Sequence, residues 1–315
     1  MMRSLVTGAN GFVGRYLSLE LQRRGHEVVR AGRVADGAAA DRDIELELGD
    51  AGNVREAVEA ARAGAIFHLA AQSFVPRATE NPIETYEINV LGTARLIDAI
   101  RDLPKAERPR LIFVSSSEVY GARAQADLPF RETLPPAPAT PYAASKLAGE
   151  GIVLASARAY GFSALVTRAF NQIGPGQNER FVVPAFAARL ARIAAGGDPL
   201  LAVGNLETKR DFLDVRDVVR AYADLADRGA DGEVYNVCSG TPTAIVEILR
   251  KLVTIAHVGV EIREAPALVR SVDVPLVYGD NTKLREATGW EPATTLIRTL
   301  RDIYEYAAKD VAARV

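Results

Sequence analysis

An α/β fold, with a parallel sheet covered by helices on both faces, is predicted by three features of this sequence. Short apolar runs alternate with amphipathic stretches of helical period through the first half of the chain, which is the rhythm of β-α-β units. A glycine-rich turn, Gly8 to Gly14, joins the first apolar run to the first helical stretch. Serines close a later apolar run at 111–114, and the carboxyl ends of parallel strands are where open sheets bind ligands.

Taken in order, strands are expected at Ser4–Thr7, Glu27–Val29, Ile44–Leu46, Ala65–Leu69, Arg110–Ser115 and Ser163–Arg168. Helices are expected at Gly11–Arg24 and Val54–Arg62, near Ile83–Asp102, and at Pro141–Tyr160. The pattern reads as a Rossmann doubly wound sheet. After Arg168, Gly174, Pro175 and Gly176 mark a loop, and an Ala-rich helix runs from about Val183 to Ala195. A helix at Asp214–Leu225 and a buried strand at Glu233–Val237 then return to the sheet. The expected organisation is a dinucleotide-binding domain from 1–168 plus about 206–236, and a smaller, mixed α/β C-terminal lobe from about 169–205 plus 237–315.

Composition excludes several classes of function. In 315 residues, 38 Lys plus Arg face 40 Asp plus Glu, so nothing in the net charge favours nucleic acid or an anionic bilayer. Cys238 is the only cysteine, and His26, His68 and His257 are scattered; no disulfide and no metal site is expected. No apolar run approaches the ~20 residues of a membrane helix, and the start carries no leader pattern. Cytoplasmic residence is the expectation.

The turn Gly8-Ala9-Asn10-Gly11-Phe12-Val13-Gly14 follows a strand and opens a helix. Missing side chains let the backbone approach a pyrophosphate, whose charge suits the free amides at a helix start. The second strand ends in Arg30-Ala31-Gly32-Arg33 rather than in an acid. A guanidinium there matches a 2′-phosphate, so NADPH is the favoured cofactor and NADH a possible one; otherwise Arg30 and Arg33 are solvated loop charges. Asp50, followed by Ala51, is placed either to accept from an adenine amino group or to cap a helix.

Tyr142 and Lys146, four residues apart, fall on one helix face. A cation there is expected to lower the phenol pKa towards working pH. Ser115-Ser116-Ser117-Glu118-Val119-Tyr120-Gly121 places hydroxyls at the end of the preceding strand.

With TGANGFVG, HLAA at 68–71, Asn89, SSSEVYG, YAASK and RDFLDVRD in this order, the chain resembles the extended short-chain dehydrogenase/reductase family over essentially its whole length. The resemblance implies that Ser116 polarises the substrate oxygen, Tyr142 transfers the proton, and Lys146 holds the nicotinamide ribose. Asn89 would support the proton relay or else satisfy neighbouring backbone. Leu69, Ala70, Ala71 and Arg168 would complete the cofactor site, and a homodimer through a four-helix interface is implied. Apolar positions on the helices near 83–102 and 141–160, among them Ala143, Leu147, Ile152 and Leu154, fit that interface or the core.

The stretch Ala169 to Gln177, with Arg180-Phe181-Val182, Val203 to Glu207 and Lys209 to Phe212, is most similar to the nucleotide-sugar branch that reduces GDP-4-keto-6-deoxy-D-mannose, with GDP-D-rhamnose the favoured product. Gln172 departs from that branch, which usually carries histidine there. The resemblance implies substrate contacts from Ser73, Ser117, Glu118, Asn171, Arg180, Val203, Asn205, Arg210 and Arg270, although Arg210 would equally pair with Asp211 or Asp214. Glu118 keeps a GDP-mannose 4,6-dehydratase open, since such an enzyme needs a base for the C5 proton. A C4 epimerase and a dinucleotide sensor without turnover are more remote alternatives.

Overall fold

The structure, a computed structural model, describes residues 2–33, 43–265 and 274–314. Strands β1 (Arg3–Thr7), β2 (Glu27–Gly32), β3 (Asp43–Glu45), β4 (Ala65–His68), β5 (Arg110–Ser116) and β6 (Ala164–Ala169) form the first half. Strands β7 (Asn171–Ile173), β8 (Leu200–Val203) and β9 (Lys209–Asp214) leave the sheet before β10 (Val234–Val237) returns to it. The sheet order is β3-β2-β1-β4-β5-β6-β10, parallel at every pairing. The order reverses between β1 and β4, and the crevice beyond their carboxyl ends is the ligand position of such sheets.

The helices of this half are α1 (Phe12–Arg23), α2 (Ala51–Ala61), α3 (Val75–Glu80), α4 (Pro82–Tyr86), α5 (Gly92–Asp102) and α6 (Pro141–Tyr160). They are followed by α7 (Val182–Ala194) and α8 (Val215–Arg228). Strand alternation sorts the core onto two faces. Val6, Phe67 and Ile112 pack with Leu17 of α1 and Val218 of α8, whereas Leu5, Ile66 and Leu111 pack with Val58 of α2, Leu96 of α5 and Val153 of α6.

The elements expected from the sequence are present, their ends shifted by three residues at most. The exception is the helix near 83–102. It is one continuous rod only in outline, because a wider turn of five-residue hydrogen bonds at Glu87–Leu91 separates α4 from α5. Asn89 sits in that turn, and such bulges recur at functional sites.

Beyond the sheet, α9 (Ile245–Ala256), α10 (Thr282–Thr288) and α11 (Leu296–Arg314) follow, with strands β11 (Pro242–Ala244), β12 (Glu261–Glu264) and β13 (Leu276–Val277). Strand β9 is the hub of this region. Its first half pairs with β11 and β13 and its second half with β7, while β8 pairs separately with β12. A separate apolar core fills the space among α7, α9 and α11. Among the described residues no helix is long and apolar enough to cross a membrane.

Candidate active site

The glycine turn is held by close packing. Gly8 lies in the left-handed region at φ +70, and a Cβ there would stand 2.9 Å from the Ala70 amide nitrogen; a Cβ on Gly14 would stand 2.2 Å from the Gly8 carbonyl oxygen. Small residues are therefore required where β1 and β4 separate. Gly11 caps α1 without any side-chain bond, and the first turn has no acidic residue. That leaves a helix start suited to an anion, so the residues present fit the pyrophosphate of a dinucleotide. Phe12 and Val13, half-buried, open the helix.

Asn10 ties this turn to the end of β2: Arg30 Nη2 donates to its Oδ1 at 2.8 Å, and its Nδ2 donates to the Arg33 carbonyl at 3.1 Å. Arg30 also pairs with Asp43 at 3.5 Å, whereas the exposed Arg33 has no ion pair among the described residues. Asp50 caps α2, its Oδ1 accepting from Gly52 and Asn53 at 2.8 and 3.1 Å, with Ala51 as the first helical residue. The capping alternative is thus realised there, on one of the two carboxylate oxygens.

A directional hydrogen-bond chain runs from this turn to the catalytic helix. The amides of Leu69 and Ala70 both donate to Thr7 Oγ1 at 3.2 Å, so the threonine proton must go to His68 Nδ1, 2.8 Å away. The imidazole then carries its proton on Nε2 and donates to Thr93 Oγ1 at 3.1 Å, and Thr93 donates to the Asn89 carbonyl at 2.7 Å. Burial, with Lys146 adding to it, lowers the His68 pKa to about 3. The ring is neutral, as the chain of donors requires.

Asn89 continues the chain. Its Oδ1 accepts from the Gln72 amide at 2.8 Å, and its Nδ2 donates to the Gln72 carbonyl and to Ser145 Oγ, both at 2.9 Å. Ser145 in turn donates to the Tyr142 carbonyl at 2.7 Å. Both amide protons of Asn89 are thereby engaged. These bonds satisfy neighbouring backbone, one of the two readings of Asn89, and they bracket α6 against the β4 loop.

Helix α6 begins at Pro141 with Thr140 as its cap, Oγ1 accepting from Ala143 at 3.1 Å. Tyr142 therefore lies in the first turn and Lys146 in the second. Gly149 lets the helix settle on β5, since a Cβ there would stand 2.5 Å from the Phe113 ring. Lys146 Nζ consequently lies 4.8 Å from the centroid of that ring. Burial lowers the Lys146 pKa to about 8, with Glu150 acting the other way.

Tyr142 departs from the expectation. Its pKa is raised to about 12, first by burial and also by Glu118, with the Ser116 hydroxyl opposing. Desolvation of a phenolate outweighs a cation that rests on Phe113, so without cofactor Tyr142 is a protonated acid. Ser116 ends β5 and accepts from the Glu118 amide at 3.2 Å; Ser117 is half-buried and Glu118 exposed.

One turn below Lys146 lies a residue the sequence reading missed. Glu150 is buried, accepting from Ser115 Oγ at 2.6 Å and from Arg168 Nη2 at 2.7 Å and Nε at 3.1 Å. Arg168 stacks 4.8 Å from the Tyr120 ring centroid, and Tyr120 donates to Asn236 at 2.8 Å. Alternation along β6 turns the Arg168 side chain towards α6, where Glu150 pairs with it, while its Nη1 is buried without a hydrogen-bond partner. The signal for Glu150 was its spacing, four residues beyond Lys146 on the same face.

Across the crevice, Asn171 Nδ2 donates to the Asp211 carbonyl at 3.0 Å. Arg180 stacks on Phe74 at 4.8 Å and Phe181 at 5.4 Å, beside the exposed Ser73. Asn205 Oδ1 accepts from Glu207 at 3.0 Å. Val203 is buried in the core among α7, α9 and α11, and its carbonyl accepts from Ala265 at 2.8 Å. Arg210 Nη1 donates to the Lys209 carbonyl at 2.9 Å, while Asp211 accepts from Ser239 and Gly240, and Asp214 pairs with Arg216 at 2.7 Å. Arg270 lies outside the described residues.

The chain through His68 has a measurable consequence. The unfolded state binds a proton at an ordinary histidine pKa and the folded state only near 3, so stability falls as pH drops from about 6.5 to 3. His68→Gln should flatten that acid limb by on the order of 3–5 kcal/mol, read from urea melts at pH 7 and pH 4. Equal pH dependence in the two proteins would mean that His68 is already protonated in the fold.

The sequence profile of GDP-mannose 4,6 dehydratase matches residues 5–303. The chain is 38% identical to the GDP-6-deoxy-D-mannose reductase of Pseudomonas aeruginosa over 96% of this chain and 95% of that protein. It is 32% identical to the GDP-6-deoxy-D-talose 4-dehydrogenase of Aggregatibacter actinomycetemcomitans over 96% of this chain and 97% of that one. Among solved structures, RMD from Pseudomonas aeruginosa complexed with NADPH superimposes with a TM-score of 0.85 at 36% identity, covering 98% of this chain and 100% of that one. The glycine turn, the Ser116, Tyr142 and Lys146 cluster and these matches together mean that the chain belongs to the GDP-mannose 4,6-dehydratase family of extended short-chain dehydrogenases.

Proposed function

We propose that this protein reduces the C4 ketone of GDP-4-dehydro-6-deoxy-D-mannose to a GDP-6-deoxyhexose, with GDP-D-rhamnose the favoured product and NADPH the reductant. The observation that carries the reading is Tyr142, buried and protonated beside Ser116 at the carboxyl end of β5, the state a general acid for ketone reduction needs. Likeness to the Pseudomonas reductase supports the choice of substrate.

NADPH supplies a hydride to C4 when bound. Ser116 donates a hydrogen bond to the ketone oxygen, and Tyr142 gives that oxygen its proton as negative charge develops. Lys146 holds the nicotinamide ribose and eases the phenolate that Tyr142 becomes. Arg33 takes the 2′-phosphate, and Asn171, Arg180 and Arg210 face the GDP-sugar. Tyr142→Phe should lower turnover by about 10²–10⁴-fold while leaving NADPH affinity, read by fluorescence titration, within about twofold; retained turnover would remove Tyr142 from the chemistry. Arg33→Ala should weaken NADPH binding about tenfold and leave NADH unchanged. Equal loss for both cofactors would refute the 2′-phosphate contact.

Glu118 favours a second reading. It is exposed, and its charge reaches Tyr142, as a base for the C5 proton in a GDP-mannose 4,6-dehydratase would require. Purified protein incubated with NADPH and enzymatically generated keto sugar, and separately with GDP-mannose, separates the two. Cofactor consumption with the keto sugar alone supports the reductase; keto sugar formed from GDP-mannose without net cofactor loss supports the dehydratase.

A homodimer through α5 and α6 completes the proposal. Ile83 is 70% exposed and Leu91 46%, both on the rod formed by α4 and α5, whereas Ala143 is buried and Ile152 and Leu154 lie half-buried against the core. Light scattering should give twice the 33.8 kDa chain mass, and a double Ile83→Glu, Leu91→Glu variant should be a monomer; a monomeric wild type would overturn the assembly.

A further inference from the structure

Three buried charges lie in a row under α6. Lys146, Glu150 and Arg168 are 4%, 3% and 4% exposed, a depth at which charged side chains are rare unless paired. The sheet fixes their order. Lys146 lies over Phe113 of β5, on the side where its charge reaches His68 of β4. Glu150 meets the same strand at Ser115, whose hydroxyl donates to Oε1, and on its other side takes Arg168 of β6 at 2.7 Å. Since these strands run β4-β5-β6, the carboxylate stands between the ammonium and the guanidinium.

The two cations are not held alike. Arg168 forks onto Glu150 and stacks on the Tyr120 ring, which is tied to Asn236. Lys146 has no ion pair among the described residues, and Glu150, four positions on along the same helix face, is the charge that opposes its burial. Charges on the other elements packed against α6 are engaged elsewhere. Arg77 of α3 pairs with Glu84 of α4, Arg95 of α5 donates to the Leu48 carbonyl, and Asp98 and Asp102 pair with Arg101 and Arg55. Glu80, Glu87 and Glu118 are exposed, Glu118 acts on Tyr142, and His68 is neutral.

A guanidinium does not give up its proton at working pH, whereas an ammonium in a dry site does so readily. Without the carboxylate two cations would be left under one helix, and Lys146 would yield first. We propose that Glu150 is a positioning residue for the reduction: standing between the two cations, it keeps Lys146 charged and so sets the highest pH at which Lys146 can support the phenolate that Tyr142 becomes. The proposal rests on the NADPH-dependent reduction proposed above. Arg168 and Ser115 complete the arrangement. Their three hydrogen bonds to Glu150 favour its ionised form, so the anion beside Lys146 is itself held in place and in charge.

The test is the pH profile of kcat/KM for the keto sugar at saturating NADPH. Wild type should lose activity as pH rises through about 8, where Lys146 gives up its proton. Glu150→Gln should move that alkaline limb down by about one pH unit or more. Because the single variant leaves Arg168 uncompensated, a double Glu150→Met, Arg168→Met variant, which removes both charges from the core together, carries the test where Glu150→Gln does not fold. Its limb should also lie below that of wild type, since Glu150 acts on Lys146 more closely than Arg168 does. A limb at the wild-type position in either folded variant would overturn the proposal. So would an equal loss of activity at every pH, the mark of a merely structural role, or a wild type without an alkaline limb. Failure of wild type to reduce the keto sugar at any pH would instead overturn the reduction on which the proposal stands.

Discussion

One buried hydrogen-bond chain connects the two halves of this site. Thr7 receives the amides of the β4 loop, which forces its proton onto His68, and His68 passes the direction on through Thr93 to the turn holding Asn89. Asn89 then brackets Gln72 and Ser145. Each donor has one acceptor, so the backbone that must lie against the pyrophosphate and the helix that carries Tyr142 and Lys146 are set by one arrangement. The neutral imidazole is the pivot, because a charged ring would place a second donor against Thr7 and break the order. Low dielectric makes such a chain rigid when complete and costly when broken.

Charge beneath the catalytic helix is balanced in a similar way. Lys146 is buried with an aromatic face as its close contact and Glu150 a turn away, and Glu150 is already committed to Arg168 and Ser115. The ammonium is thus kept in a dry place without a salt bridge of its own among the described residues, which leaves it available to a ribose. Burial keeps Tyr142 in its acid form until a ligand changes its surroundings. Removing either partner of the Glu150 and Arg168 pair would leave an uncompensated charge under both of them.

The fold was legible in the sequence because its signals are local. Period, glycine spacing and strand-end serines lie within a few residues of one another, and the elements they predict are present. The spacing of Tyr142 and Lys146 was legible for the same reason. What local patterns miss are partners far apart in the chain: Thr7 and His68 are separated by 61 residues, His68 and Thr93 by 25, and Asn89 and Ser145 by 56. The pairing of Arg168 with Glu150, 18 residues apart, was not legible because a strand end says nothing about which face a side chain takes until the sheet is packed. The Tyr142 shift was misjudged in sign because proximity of a cation was visible and depth of burial was not.

In the proposed reaction, hydride passes from an added nicotinamide cofactor to the sugar ketone at C4. Incubating the protein with GDP-4-dehydro-6-deoxy-D-mannose and NADPH deuterated on either face of C4 of the nicotinamide, then reading the product by NMR, tests it most directly. Deuterium is expected at C4 of a GDP-6-deoxyhexose from one of the two labelled cofactors, with one cofactor oxidised per sugar reduced. A sugar without label at C4 from either cofactor would contradict it.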